Sequence, residues 1–160
     1  VVEWGAPHGA WGRVAPARVI QSLGQPFLWI LDRADLQVNA AFWESLGFDL
    51  QRSHFICEIE SLRTFKMVLQ EGVYGVVVLD TKKNLRSGDW SFVSQIARQK
   101  KVMPFVIRPF YLTPRNGNPF AKHRWNSFYS FEEHSLRLKC VKGLKLNKEI
   151  KAPLQEVLYG

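Results

Sequence analysis

Three observations predict an α/β fold with a mainly parallel sheet. Short apolar runs alternate with amphipathic segments along the first two thirds of the chain. Two of those runs, residues 26–31 and 74–79, are apolar almost without interruption, as expected of parallel strands covered on both faces. After Pro109 the alternation stops, and the strand-like segment 135–142 carries one apolar and one cationic face, which predicts an antiparallel addition. Strands alternating with helices at this rhythm imply right-handed βαβ units with helices on both faces of the sheet.

Each element has a local reason. Val1–Trp4 forms a strand that runs into a Gly-rich turn, Gly5-Ala-Pro-His-Gly-Ala-Trp-Gly12. A first helix is expected from about Ala15 to Leu23. Pro16 suits its first turn, where a missing N–H costs nothing, and Gly24 suits its end. Asn39 caps a helix over residues 40–46, closed by Gly47. Residues 53–57 read as a strand. Leu62, Phe65, Val68 and Leu69 mark a helix that starts at Ser61 and ends at Gly72. Asp80 terminates the next strand. Trp90, Val93, Ile96 and Ala97 mark a helix stopped by Lys100 and Lys101, and residues 102–107 form a fifth strand. Pro109 to Trp125 holds three prolines among Arg, Asn and aromatic residues and reads as a long loop, a feature that in compact domains is usually functional or disordered. The expected division is a core domain over residues 1–142 and a basic C-terminal segment over 143–160.

The chain has 160 residues, enough for one domain with a sizeable core. It is 46% hydrophobic and 22% charged, an ordinary globular composition. Neither a membrane span nor a signal peptide is visible, and a cytoplasmic location is expected. Cys57 and Cys140 both sit in strand-like apolar contexts and read as buried free thiols. Residues 1–100 hold 11 basic and 10 acidic side chains, whereas residues 101–160 hold 11 and 4. The charge of +8 is therefore concentrated in the last third, as a solubilising surface or as a face for nucleic acid or an acidic protein.

The Gly-rich turn is most informative for what it lacks. A phosphate-binding loop is G-x-x-x-x-G-K-[ST] between a strand and a helix. Gly5 takes the first glycine position and Gly9 lies inside the turn, but Trp11 stands where the lysine belongs and Gly12 where the Mg²⁺-binding hydroxyl belongs. Arg13, two residues on, is a candidate substitute cation. Asp80 falls at the strand-end position of a metal-organising carboxylate. A helix that starts late would also displace the amides that bind phosphate. Gly5, Gly9, Trp11, Gly12, Arg13 and Asp80 thus read as a vestigial nucleotide site. His8, in the same turn, is a surface residue in the plainer reading.

With these landmarks in this order and spacing, the stretch from Val1 to about Val106 resembles the core of RecA, and its departures resemble the shorter non-ATPase relatives SulA and ImuA. The resemblance implies a RecA-like sheet and a role in DNA repair or an SOS-type damage response. It also implies that Asp35, near the position of RecA's catalytic glutamate, has no nucleotide to act on. RecA's N-terminal polymerisation segment has no counterpart before Val1, so filament formation by this chain alone is not expected.

No catalytic set, cofactor or metal is expected. His8, His54, His123 and His134 show no metal-ligand spacing with the cysteines. The strongest positive signal is residues 111–125, where Arg115, Lys122, His123 and Arg124 interleave with Tyr111, Phe120 and Trp125. Cations that neutralise phosphates beside aromatic faces that stack on bases suit single-stranded nucleic acid. RecA's DNA-binding loops lie in equivalent places, so the resemblance adds Lys82 and Lys83 after Asp80, and the cationic strand adds Arg137 and Lys139. Exposed Trp and Arg are equally the anchors of protein interfaces. The expectation is therefore a non-catalytic accessory protein. It would dock on a recombinase, a translesion polymerase or a division protein, with DNA as a second partner. The alternative is a divergent, weakly nucleotide-binding ATPase that uses Arg13, Asp35 and Asp80.

Overall fold

The computed structural model describes residues 1–7, 11–32, 38–130, 132–143 and 147–159, with Trp11 and Tyr159 described by backbone alone. His8, Gly9 and Asp35 therefore lie outside the described residues, as does the Trp11 side chain. In chain order the elements are β1 (Val2–Gly5), α1 (Trp11–Ser22), β2 (Phe27–Leu31), α2 (Ala40–Ser45), β3 (Ser53–Cys57), α3 (Ser61–Glu71) and β4 (Val76–Asp80). There follow α4 (Ser87–Lys100), β5 (Met103–Arg108), β6 (His123–Ser130), β7 (Ser135–Lys142), β8 (Glu149–Pro153) and α5 (Leu154–Tyr159).

One eight-stranded sheet runs in the order β3-β2-β4-β5-β1-β6-β7-β8. The pairs from β3 to β6 are parallel, and β7 and β8 are antiparallel. Side chains of a strand alternate between faces, and here each face has its own core. Trp4, Trp29, Val78, Phe105 and Ile107 pack with residues of α1, α2 and α5, including Ile20, Trp43 and Leu158. On the other face Ile30, Leu79 and Val106 pack with Phe65 and Leu69 of α3 and Trp90 and Val93 of α4. Residues 143–160, set apart in sequence by their charge, supply β8 to this sheet and α5 to this core. Arg18 ties α5 down by donating to the carbonyls of Val157 and Leu158 and to Leu46 O at the end of α2.

The first helix departs from its expected start. It begins at Trp11, within the stretch read as the Gly-rich turn, and Pro16 lies inside it. A proline inside a helix removes the N–H that would bond the carbonyl four residues back, here Gly12 O. That carbonyl is not orphaned, because Ser127 Oγ of β6 donates to it at 3.1 Å. The same oxygen accepts the Trp4 indole N–H at 2.9 Å. A long-range hydroxyl thus stands in for the missing amide. Cys57 also departs from expectation. It is exposed at the end of an edge strand, while Cys140 is buried, and both are free thiols.

A test follows from the hydroxyl. Ser127→Ala leaves Gly12 O and Trp4 Nε1 buried without this partner, and the expected loss is about 1–3 kcal/mol of unfolding free energy. Urea denaturation monitored by circular dichroism measures it.

Candidate functional site

The turn after β1 and the end of β4 are joined by one side chain. Arg13, in the first turn of α1, reaches across to Asp80 on the same face of the sheet. Its Nε and Nη2 donate to the two carboxylate oxygens, each at 2.8 Å, and its Nη1 donates to Ala6 O at 2.8 Å. Arg13 is 5% exposed and Asp80 0%. This is the bidentate fork that guanidinium makes with carboxylate. The cation that could replace a phosphate-binding lysine is bound instead to the carboxylate that would organise a metal. The carboxylate's charge is offset within the protein, with no ligand needed. Next to it, Asp32 at the end of β2 accepts from Thr81 Oγ1.

Gly5 has a packing role in the fold. A Cβ there would lie 2.2 Å from Asn126 Oδ1 and 2.7 Å from Phe110 O. The glycine admits the chain that follows β5. Gly12 sits in the first turn of α1, with its carbonyl held by Ser127 as described.

The connection from β5 to β6 is the second feature. Both strands run parallel to β1 and flank it, so residues 109–122 must return across β1 to the start of β6. Such crossovers are usually helical. This one has no helix, and its backbone groups need side-chain partners. Three polar residues on that face of the sheet provide them. Asn126 mimics a strand neighbour, with Oδ1 accepting from Leu112 N and Nδ2 donating to Leu112 O, both at 2.8 Å. Glu3, fully buried in the middle of β1, accepts from Asn118 N at 2.6 Å through Oε2. Arg124 donates to the carbonyls of Thr113 and Asn118. Two guanidiniums balance the Glu3 charge: Arg108 Nε lies 3.1 Å from Oε1 and Arg124 Nε lies 3.6 Å from Oε2. Arg108 also donates to Lys83 O at 2.5 Å, which ties the loop after β4 to the same cluster. Gly117 passes close over it, with φ +115° and a virtual Cβ 2.9 Å from Glu3 Oε2.

These facts correct two expected nucleic-acid contacts. Arg124 is 3% exposed and is committed to Glu3 and to the crossover, so it is no solvent-facing cation. Trp125 belongs to β6 and not to the loop. It faces away from Arg124, half-buried, and stacks on Trp4 with ring centroids 6.1 Å apart. The loop ends at residue 122 because β6 begins at His123.

The remaining cations do face solvent. Lys82, Lys83, Arg115, Lys122, Arg137 and Lys139 are exposed. Lys83 Nζ donates to Ile59 O and Arg137 Nη1 lies 3.5 Å from Glu149 Oε1. Cross-strand pairing sets Arg137 beside Phe128 and Lys139 beside Asn126 on one face. Tyr111 of the crossover stacks on Phe128, centroids 4.6 Å apart, and the Arg137 guanidinium lies 5.9 Å from the Phe128 ring centre. Burial raises the Tyr111 phenol above its ordinary value, with the nearby Arg137 charge opposing. His123 is held below its ordinary value by burial and by the neighbouring Lys122 charge. Sequence reasoning missed Glu3, Arg108 and Asn126 altogether. A buried carboxylate in mid-strand gives no local signal, because its partners lie 105 and more residues away. Among the described residues no group of three His, Cys, Asp or Glu side chains could hold a metal, and no helix is long and apolar enough to cross a membrane.

The Arg13–Asp80 pair makes a sharp stability prediction. Arg13→Ala leaves Asp80 buried and uncompensated, at an expected cost of about 3–5 kcal/mol. The double variant Arg13→Met, Asp80→Leu removes both charges, so it is expected to recover most of that loss. A double-mutant cycle by chemical denaturation measures both.

No protein-family profile and no curated protein matches the sequence. Solved structures do match. The RadB recombinase superposes with a TM-score of 0.75 at 11% identity, covering 99% of this chain and 89% of RadB. SulA from Pseudomonas aeruginosa superposes with a TM-score of 0.52 at 16% identity, covering 66% of this chain and 94% of SulA. With its strand order, its two-faced core and its antiparallel C-terminal strands, the chain has a RecA-like fold.

Proposed function

We propose that this protein is a non-catalytic RecA-like accessory or regulatory protein in DNA repair, of the SOS-damage-response kind, that acts by binding. The observation that carries the reading is the buried Arg13–Asp80 fork. A working site would need a cation on the phosphates and a carboxylate on the metal. Here the cation and the carboxylate neutralise each other, and Trp11 and Gly12 replace the lysine and the hydroxyl. The fold likeness to a recombinase and to SulA supports the biological setting. The divergent-ATPase reading would require the fork to open, with Mg²⁺ taking Asp80 and phosphate taking Arg13, at the cost of two short charge-assisted hydrogen bonds.

Single-stranded DNA is the ligand that the exposed face suits. The Tyr111–Phe128 stack offers aromatic surface, with Arg137 and Lys139 on the same side of the sheet and Arg115 on the crossover. Stacking and phosphate neutralisation together are the usual means of binding a single strand. A second reading, docking on a protein such as a recombinase, a translesion polymerase or a division protein, is favoured by a separate observation. On the opposite face an apolar groove of about 310 Å³ runs between Val19, Leu23, Trp125, Leu138 and Ile150.

Two measurements test this. Calorimetric titration with ATP–Mg²⁺ is expected to give no binding in the micromolar range; a micromolar dissociation constant or steady phosphate release overturns the non-catalytic reading. Binding of a labelled single strand is expected to weaken with salt. Lys139→Ala and Arg137→Ala each lower the log–log salt slope by about 0.7, whereas Tyr111→Ala weakens binding with little change of slope. Wild-type protein that ignores oligonucleotides at low salt leaves protein docking as the function.

A further inference from the structure

We propose that the cavity between the loop after β4 and the β5–β6 crossover takes a single unstacked nucleobase of a bound strand. The inference rests on the nucleic-acid reading above and names the part of the ligand that this site holds. The cavity measures about 220 Å³ and lies beside Glu3 and Arg108 at the start of α4. That is below the roughly 300–1,000 Å³ of sites for drug-sized ligands, which suits one planar ring system.

Its lining selects the chemistry. Trp90, Phe110 and Leu85 supply aromatic and apolar wall, while Asn84, Ser87 and Asn118 supply neutral hydrogen-bonding groups. Asn118 is 1% exposed, and its orientation is fixed because Oδ1 accepts from Phe120 N at 2.8 Å. That leaves Nδ2 as a buried donor with no partner. Such a donor is costly unless a ligand or water meets it, and an acceptor on a base edge is one such group. The nearest cation does not call for an anion. Arg108 is bound to Glu3 and to two backbone carbonyls. Phosphates would instead meet the exposed cations that adjoin the lining residues in sequence, Lys82, Lys83, Arg86 and Arg115. Amides and the internally balanced Glu3–Arg108 pair within, and cations outside, match a base inserted from a backbone that stays in solvent. Single-stranded nucleic acids are commonly read this way, through bases splayed out of the stack.

The test compares two labelled oligonucleotides of equal length and charge, one with bases and one built of abasic units, by fluorescence anisotropy on wild-type protein and on Ser87→Phe. Ser87 is exposed at the start of α4 and lines the cavity, so the phenyl ring fills the space from the rim. Wild type is expected to prefer the base-bearing strand by at least about tenfold. Ser87→Phe is expected to cut that preference at least about threefold, leaving the part due to stacking at Tyr111, while binding the abasic strand as wild type does. Asn84→Trp, from another part of the lining, provides a second filled variant should the first fail to fold by circular dichroism. A preference undiminished in the filled variants, or no preference in wild type, overturns the base pocket and leaves the nucleic-acid reading standing. No binding of either strand overturns both.

Discussion

A helix-free crossover over the middle of a parallel sheet is the constraint on which the rest of this molecule turns. The chain must pass from β5 across β1 to β6, and it does so in extended and turning backbone whose N–H and C=O groups face protein instead of water. Unpaired, those groups would be expensive. Glu3, Asn126 and Arg124 answer them, and Arg108 completes the charge balance. The fully buried carboxylate in the centre of the sheet is thus the keystone of a polar core. The glycine at position 5 follows from it, since the incoming loop leaves no room for a Cβ. So does the placement of Tyr111, which the tethered loop delivers onto Phe128.

The same economy is seen on the opposite face. Pro16 breaks a helix bond and Ser127 repairs it. Asp80, buried at the end of β4, is met by the Arg13 guanidinium of α1. In each case a side chain from a distant strand, or across the sheet, satisfies a group that the local sequence left open. Buried polar networks of this kind favour a single arrangement of their elements, because each alternative strands a charge or a donor.

This pattern also explains how much was legible in the sequence. The strands β1 to β5 and the helices α3 and α4 follow from periodicity and from glycine stops, and the strands lie within one or two residues of the expectation; β6 has no such signal, since its first residues read as part of the loop. Asp80 and Arg13 were recognisable as unusual, though not as partners, since 67 residues separate them. The start of α1 was misjudged because proline's effect is local while its compensation by Ser127 is not. Arg124 looked like a DNA-binding cation because a basic, aromatic stretch reads the same whether its arginine points into solvent or into the sheet. Glu3 carried no signal, since a mid-strand acid ordinarily marks a solvated face. Periodicity reports which residues are buried by water's exclusion; it is silent on residues buried for the sake of another segment's backbone.

The fork between Arg13 and Asp80 has a thermodynamic corollary. A carboxylate stabilised by a bound metal or nucleotide complex couples folding to the concentration of that species, with a gain that grows as the logarithm of its saturation. Here the counter-charge is attached to the same chain, so its effective concentration is fixed by the fold. The end of β4, inside the sheet, therefore has a counter-charge whose presence does not depend on the supply of any ligand. A counter-charge that belongs to the fold contributes the same stability at every dilution, as a dissociable ligand does not.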